Sequence, residues 1–401
     1  MRMEKERTIL HCDLNNFYAS AECLTHPEWR DVPLVVAGSP EKRHGVVLAK
    51  NELAKKAGIK TGDAIWQAKE KAPSLMAVEP HFALYTQLSK QVFEIYTRYT
   101  SQVEPFGPDE CWLDLTESLS LFGSGEKVAN EIRETVKREA GLTVSVGVSF
   151  NKTFAKMGSD LKKPDATTVI SREDFRRMLW PLPVSDMLMV GKKTAKKLNA
   201  LNIFSVGDLA RADEALLSAH FGIVGVRLKK NANGEDDESV HEVNEKEDEK
   251  SMGQGMTTAR DLTTYEDAET LILYLADKVA TRLRAASLRG YGVSLSLRAA
   301  DFSSLVRQKT LSNPTCAAKH IAEAAKELLH ANWKCDYPLR TLTVSVYDLT
   351  KFGAVQMDMF SAPPDKAEKL EYAIDAIRQK YGEGSIMRAG IFGLDFIVDK
   401  K

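Results

Sequence analysis

Two short acidic motifs stand almost a hundred residues apart in this chain. The first, Ile9-Leu10-His11-Cys12-Asp13-Leu14, closes an apolar run with an aspartate. The second, Phe106-Gly107-Pro108-Asp109-Glu110-Cys111-Trp112-Leu113-Asp114, opens one with an Asp-Glu pair. If the two runs are neighbouring strands, Asp13, Asp109 and Glu110 converge into three negative charges that stay together only around cations. Hard oxygen donors with few histidines nearby favour Mg²⁺, with Mn²⁺ as the substitute, over zinc. Two such ions about 3.5 to 4 Å apart are the usual device for in-line phosphoryl transfer. An aspartate at a strand end also serves as a turn former or helix cap, and either motif alone fits that reading too. The stretch Asn15-Asn16-Phe17-Tyr18-Ala19-Ser20-Ala21-Glu22 adds a second signal, because it leaves the strand and opens a helix whose N–H groups face an anion held there.

Two further stretches accompany the acidic motifs: Val144-Ser145-Val146-Gly147-Val148-Ser149-Phe150-Asn151-Lys152-Thr153-Phe154-Ala155-Lys156, and Lys162-Lys163-Pro164. In this order, across nearly the whole chain, the four motifs together resemble the Y-family of translesion DNA polymerases, of the bacterial polymerase IV type. The resemblance implies an enzyme that joins a primer 3′-hydroxyl to the α-phosphorus of a deoxynucleoside triphosphate on a DNA template. It further implies two Mg²⁺ ions and no proofreading. Asp13 and Asp109 are then ligands shared by both ions, Glu110 a ligand of the ion nearer the primer, and the Leu14 carbonyl a further oxygen ligand.

By the same resemblance Asn16, Phe17, Tyr18, Asn51, Lys55 and Lys163 surround the nucleotide. Lys163 lies on the triphosphate, and Tyr18 is the steric gate whose ring collides with a ribose 2′-hydroxyl. Phe17 reads equally as a core residue. Two positions depart from the pattern. Lys55 stands where an arginine is usual, keeping the charge without the bidentate fork, and Glu52 stands where a phosphate-contacting tyrosine is usual. A carboxylate at 52 would repel the triphosphate, which puts the grip on that side in doubt.

The elements that must carry these residues read as α+β and multidomain, and the resemblance implies a right-hand polymerase with palm, small fingers, helical thumb and an α+β little finger. The palm is expected over 1–14 and 81–170, with the fingers inserted at 15–80. Within these, Gly125 to Ala140 reads as a helix, Leu142 to Val148 as an alternating strand, and Gly58 as a helix end. The thumb is expected over 171–234. There Gly191-Lys192-Lys193 resembles a helix-hairpin-helix turn that meets DNA phosphate without reading sequence, although Lys193 replaces an expected glycine. The little finger follows over 251–349, with alternating strands at 293–298 and 341–346. Arg260, Arg298 and Arg307 are its candidate DNA contacts, and Lys156 is one in the palm; each also reads as an ordinary solubilising charge.

The net charge of -1 suits DNA binding only through its distribution. Residues 235–250 hold nine acids and two lysines, leaving the rest of the chain at +6, and 171–234 carry eleven Lys and Arg against six acids. The acidic stretch reads as a solvated linker. At 401 residues and 43% hydrophobic, the chain is too long for one core and too apolar for a disordered one. No apolar run reaches a membrane span and no signal-type core follows the charged N-terminus, so a cytoplasmic monomer is expected. Five cysteines without CxxC spacing argue against disulfides, and Cys12 and Cys111 read as small buried apolar residues.

In the expected tail, 350–401, Gln356-Met357-Asp358-Met359-Phe360 resembles the peptide by which bacterial polymerases dock on the sliding clamp, with Gln356, Met359 and Phe360 as its contacts. A helix-like stretch, Lys366 to Tyr381, follows without an evident role. Two other classes compete with the polymerase. One is a catalytically weak DNA- and clamp-binding accessory, disfavoured by the complete acidic triad. The other is a nucleotidyl cyclase, which leaves the basic module and clamp-like peptide without purpose.

Overall fold

The structure, a computed structural model, describes residues 6–39, 43, 45–243, 245, 248–351 and 366–391. The chain divides into two compact units, one of residues 1–38 and 46–245, the other of 39–45 and 246–401. Among the described residues no helix is long and apolar enough to cross a membrane.

In chain order the first unit contains β1 (Ile9–Leu14), α1 (Phe17–Thr25), β2 (Leu34–Ala37), β3 (Val47–Lys50), α2 (Glu52–Lys56), α3 (Ile65–Lys71), β4 (Met76–Val78) and α4 (Phe82–Tyr96). It continues with β5 (Val103–Pro105), β6 (Glu110–Asp114), α5 (Leu119–Phe122), α6 (Gly125–Ala140), β7 (Val144–Ser149), α7 (Lys152–Leu161) and β8 (Thr167–Val169). Helices α8 (Phe175–Leu179), α9 (Lys192–Ala200), α10 (Val206–Arg211), α11 (Glu214–Phe221) and α12 (Ile223–Ala232) complete it.

A five-stranded sheet in the order β5-β6-β1-β7-β8 forms the centre. Its middle strand β1 is buried along its whole length, which is why its sequence is nearly all apolar. One face packs on α4 and α6 through Leu10, Cys12, Ile95, Leu113, Ile132 and Val146. Helix α6 spans the range its sequence indicates because Ser124 caps its first turn, accepting from the Lys127 N–H, and Gly141 closes it at φ 66°. The other face carries α7. A Cβ at Gly147 would lie 1.9 Å from the Ala155 carbonyl oxygen, so only glycine lets α7 settle this close to β7.

Strands β2, β3 and β4 make a separate small sheet over the cluster Val35, Val47, Ala54, Ile59 and Ala68. The helices after β8 share a third core. Part of the acidic stretch does not behave as a solvated linker. Val240 is buried with Ile9, Trp112 and Ala155. Asp236 accepts from the Thr153 N–H and hydroxyl at the start of α7, at 3.0 and 2.8 Å, and the Val243 N–H donates to the Ser101 carbonyl. The Val240 side chain and these bonds, with those from the His241 N–H to Glu104 and from Arg7 to the Glu238 carbonyl, hold 235–243 on this unit despite its charge.

The second unit contains β9 (Ser251–Leu262), α13 (Tyr265–Ala285), β10 (Leu288–Ala299), β11 (Ser304–Thr315), α14 (Ala318–Asn332), β12 (Leu339–Lys351) and α15 (Lys366–Tyr381). Its antiparallel sheet runs β11-β10-β12-β9, with Val293, Leu295, Leu297, Leu342, Val344 and Val346 turned to α13 and α14 and the intervening Ser and Thr left on the other face. The last described segment belongs to this unit. Arg284 on α13 is almost fully buried and pairs with Glu371 and Asp375 of α15, while Arg378 and Arg388 pair with Asp277.

Candidate active site

The acidic motifs meet on adjacent antiparallel strands, and the register places Asp13 directly opposite Glu110. Asp109 sits one residue outside the ladder, its carbonyl accepting from the Leu14 N–H at 3.0 Å. Because side chains alternate across a sheet, His11, Asp13, Glu110 and Trp112 share one face, the face covered by α7, and Cys12 and Cys111 share the apolar one. Both cysteines are free and buried, so they take no part in the site.

Two ammonium groups lie among the carboxylates. Lys156 Nζ is 3.1 Å from Asp13 Oδ2 and 3.0 Å from Glu110 Oε1, and Lys163 Nζ is 2.6 Å from Asp13 Oδ2. Asp160 reaches both lysines, at 3.3 and 2.8 Å. Burial alone would lower the Lys156 pKa, yet Asp13, Asp160 and Glu110 together raise it, so the group stays charged. Lys156, expected as a DNA contact, stands one turn into α7 with its side chain on the acids.

His11 lies beneath Glu110, fully buried, with Nδ1 2.9 Å from Ser159 Oγ and Nε2 3.5 Å from Glu110 Oε2. Burial, reinforced by Lys156, lowers its pKa to about 3, so it is neutral. Asp109 moves the other way. Burial, followed by the Asp13 and Glu110 charges, raises its pKa to about 6.

Among the described residues no three His, Cys, Asp or Glu side chains are arranged as a closed metal-ligand set. The donor chemistry nevertheless fits divalent cations. All candidate ligands are oxygens, burial and the neighbouring carboxylates raise the Asp109 pKa, and lysine ammonium groups supply positive charge at Asp13 and Glu110.

Three of the residues expected around a nucleotide stand at the start of α1. Asn16 stands at its N-terminus in the left-handed region, φ 51°, and makes no side-chain bond to its own helix, so the first-turn N–H groups lack a side-chain cap. Phe17 is buried in the core. Tyr18 is half-buried and stacks on Tyr85, ring centroids 4.1 Å apart and planes at 12°, with Phe82 edge-on at 6.1 Å. Partial burial, then the Asp109 charge, raises its hydroxyl pKa, which places Tyr18 within electrostatic reach of the acids. Tyr85 is itself held by a hydroxyl bond to the fully buried Glu22, which His81 also meets at 2.9 Å.

Asn51, expected at the nucleotide, makes local bonds. Its side chain accepts from the Ala54 and Leu34 N–H groups and donates to the Val32 carbonyl, so it is spent on capping α2 and tying β2. Lys55 is half-exposed and lies 3.7 Å from Glu52. Lys163 sits in a loop whose next-but-one residue, Asp165, is strongly held. The Asp165 N–H donates to Asn15 Oδ1 at 2.8 Å, and its carboxylate meets Arg133 at 3.0 Å and Lys137 at 2.7 Å. Asn15 in turn donates to Ser145 Oγ at 2.8 Å. Sequence reading missed Asn15, Arg133, Asp165, Glu22 and Tyr85 as supports; nothing in their spacing marks them, since each acts across 30 residues or more.

Of the residues expected to meet DNA, Gly191 is the extended N-cap residue of α9 and Lys192 and Lys193 open that helix, all three exposed and the helix start without a side-chain cap. In the second unit Arg260 is paired with Asp267 at 2.8 Å, and Arg307 bonds Asn332 at 3.0 Å. Arg298 lies over the exposed Phe302 ring at 5.0 Å. Gln356, Met359 and Phe360 fall outside the described residues.

Comparison with known proteins adds to this geometry. Residues 12–160 match the impB/mucB/samB family, 249–359 the C-terminal domain of the same family, and 172–203 its HHH motif. The chain is 47% identical over 386 residues to a protein of Acetivibrio thermocellus named DNA polymerase IV, covering 96% of this chain and 97% of that one. It is 34% identical over 416 residues to a Bacillus velezensis protein of the same name, covering 99% of each. Among solved structures, a chimeric Y-family DNA polymerase superposes with a TM-score of 0.75 over 86% of this chain and 99% of its own, at 23% identity, a likeness of fold.

Proposed function

This chain belongs to the impB/mucB/samB family of Y-family DNA polymerases and is a DNA-directed, translesion DNA polymerase, and we propose that it works with the residues described above in the following roles. The observation that carries the assignment of the site is the register pair Asp13 and Glu110, with Asp109 beside it, in the segment matched to the family.

Asp13, Asp109, Glu110 and the Leu14 carbonyl would hold two Mg²⁺ ions, which when bound would supply charge stabilisation at the attacking and leaving oxygens. For Asp13 and Glu110 to serve, Lys156 and Lys163 give up their present partners, and Lys163 is then free for the triphosphate. The first-turn N–H groups of α1, with Asn16, Phe17 and Lys55, take the remaining phosphate charge. Tyr18 lies under the sugar and refuses a 2′-hydroxyl, its ring fixed by the Tyr85 stack. Gly191, Lys192 and Lys193 meet the DNA backbone without reading sequence. Arg298 and Arg307 do the same from the second unit. Deoxynucleoside triphosphates and primer-template DNA are the substrates. The protein acts as a cytoplasmic monomer that docks on a sliding clamp through Gln356, Met359 and Phe360.

Primer extension with Mg²⁺ on undamaged and abasic templates tests the assignment, comparing wild type with Asp109→Ala/Glu110→Ala. Extension by the wild type alone supports it. Extension by both would remove the acids from the chemistry. Extension by neither, with primer-template still bound, would favour the accessory reading, for which the Glu52 carboxylate beside Lys55 is the one structural argument.

A further inference from the structure

Glu52 is the first residue of α2, and its carboxylate is not left to solvent. Asn16 Nδ2 donates to Glu52 Oε1 at 2.9 Å, and Lys55 Nζ stands 3.7 Å from the same oxygen. Asn16 is held in the left-handed region at the N-terminus of α1, three residues past Asp13, and this bond to Glu52 replaces the cap it would otherwise make to its own helix. The carboxylate thus sits at the positive end of α1, between a side-chain amide and an ammonium group. Those are the donors an incoming triphosphate requires in this part of the site.

A carboxylate so placed has two chemical possibilities. It can hold a cation that travels with the triphosphate, or it can stand in for the triphosphate and be displaced by it. The partners decide between them. Both described contacts of Glu52 are donors of hydrogen, and no oxygen ligand that would complete a cation shell is among them. Glu52 and Lys55 are also substantially exposed, 37% and 52% for the side chains, so water screens the pair and it separates easily.

We infer that Glu52 is an internal competitor for the incoming triphosphate: in the free enzyme it occupies Asn16 and Lys55, and it yields them as the nucleotide binds. This rests on the reading of Asn16 and Lys55 as triphosphate contacts. Glu52 therefore sets the nucleotide affinity of this polymerase, raising KM without entering the chemical step. The effect is bounded by the worth of an exposed ion pair. An upper value of about 1 kcal/mol corresponds to roughly fivefold in KM.

The test is steady-state insertion of one deoxynucleotide on undamaged primer-template with Mg²⁺, using the full chain as wild type, Glu52→Gln, Lys55→Ala and the double variant. Inhibition by inorganic tripolyphosphate serves as a second readout that does not depend on turnover with an altered substrate. Expected results are that Lys55→Ala raises KM and that Glu52→Gln lowers KM about two- to fivefold at constant kcat. Tripolyphosphate should then inhibit Glu52→Gln more tightly by a similar factor, and both gains should shrink at high salt and in the Lys55→Ala background. A raised KM in Glu52→Gln, with weaker tripolyphosphate inhibition, would overturn the inference and assign Glu52 to a cation. An unchanged KM, with Lys55→Ala impaired, would overturn the inference alone. If Lys55→Ala also left KM unchanged, the underlying reading of the triphosphate contacts would fall with it.

Discussion

Both carboxylate oxygens of Glu371 accept the backbone N–H of Ala318, at 2.9 and 3.1 Å. Ala318 opens α14, whose N-cap residue, Ala317, has no side chain able to cap it. A helix of the second unit therefore receives its cap from α15, a segment that begins past the end of the family match at residue 359. The same carboxylate neutralises Arg284, buried between α13 and α15, and meets Arg388 at 2.8 Å.

Removing Glu371 takes one of two carboxylates from Arg284, which keeps Asp375, and takes the cap from the start of α14. Glu371→Ala should destabilise the second unit by about 2 to 4 kcal/mol, the loss of a buried charged partner and of a cap. Arg284→Met with Glu371→Leu and Asp375→Asn should cost less, because the buried charge goes together with its partners. Thermal unfolding followed by calorimetry distinguishes the two, and equal losses would mean that the pair matters only through packing.

Arg133 never approaches the acids, yet it should affect nucleotide binding. It holds Asp165, and Asp165 holds the loop that carries Lys163. Arg133→Ala is expected to raise KM for the deoxynucleotide several-fold with little change in kcat, since it loosens a binding group and leaves the acids in place. A drop in kcat at constant KM, measured by single-nucleotide insertion, would instead tie Arg133 to the acid cluster.

Tyr18→Ala should relax sugar selection. With the ring removed from its stack on Tyr85, ribonucleotide insertion relative to deoxyribonucleotide insertion should rise at least about tenfold, or about 1.4 kcal/mol. The check is the ratio of kcat/KM for the two sugars, and an unchanged ratio would return Tyr18 to a core role.

Asp109 gives a pH signature to the metal-free protein. Its pKa is raised from 3.8 to about 6 in the fold, so the folded state binds this proton more tightly than the unfolded chain does. That contribution is present below about pH 4 and is lost as pH rises through 6. In EDTA, Asp109→Asn should therefore be more stable than wild type at pH 7.5, by about 1 to 2 kcal/mol once partial exposure is allowed for. The gap should close as pH falls toward 4. Urea unfolding at the two pH values measures it, and a less stable variant at pH 7.5 would show that Asp109 is favourably charged in the free protein.

Much of this protein was legible from local pattern. The apolar run ending in Asp13, the alternation at 293–298 and 341–346, and the helix between Ser124 and Gly141 all follow rules that act over a few residues, and the strands and helix stand there. The convergence of the acids was conditional on the two runs being neighbours, and the register of β1 on β6 makes them so. The acidic composition of 235–250 does not reveal that Val240 is buried and that Asp236 and Val243 bond to the first unit, because a charge count says nothing of single contacts.

Other features required the tertiary structure. Asn51 and Lys156 are polar residues at sites where a ligand contact was expected, and only the fold shows that one caps α2 and the other faces Asp13 and Glu110. The supports of Tyr18 and Lys163, and the cap that α15 lends to α14, join residues far apart in the chain. Periodicity and capping are written within a turn or a strand, so the sequence alone determines which elements form and what chemistry they can carry. Which polar side chain a charge finally meets is set by chain closure over tens of residues, and that was decided only when the elements packed.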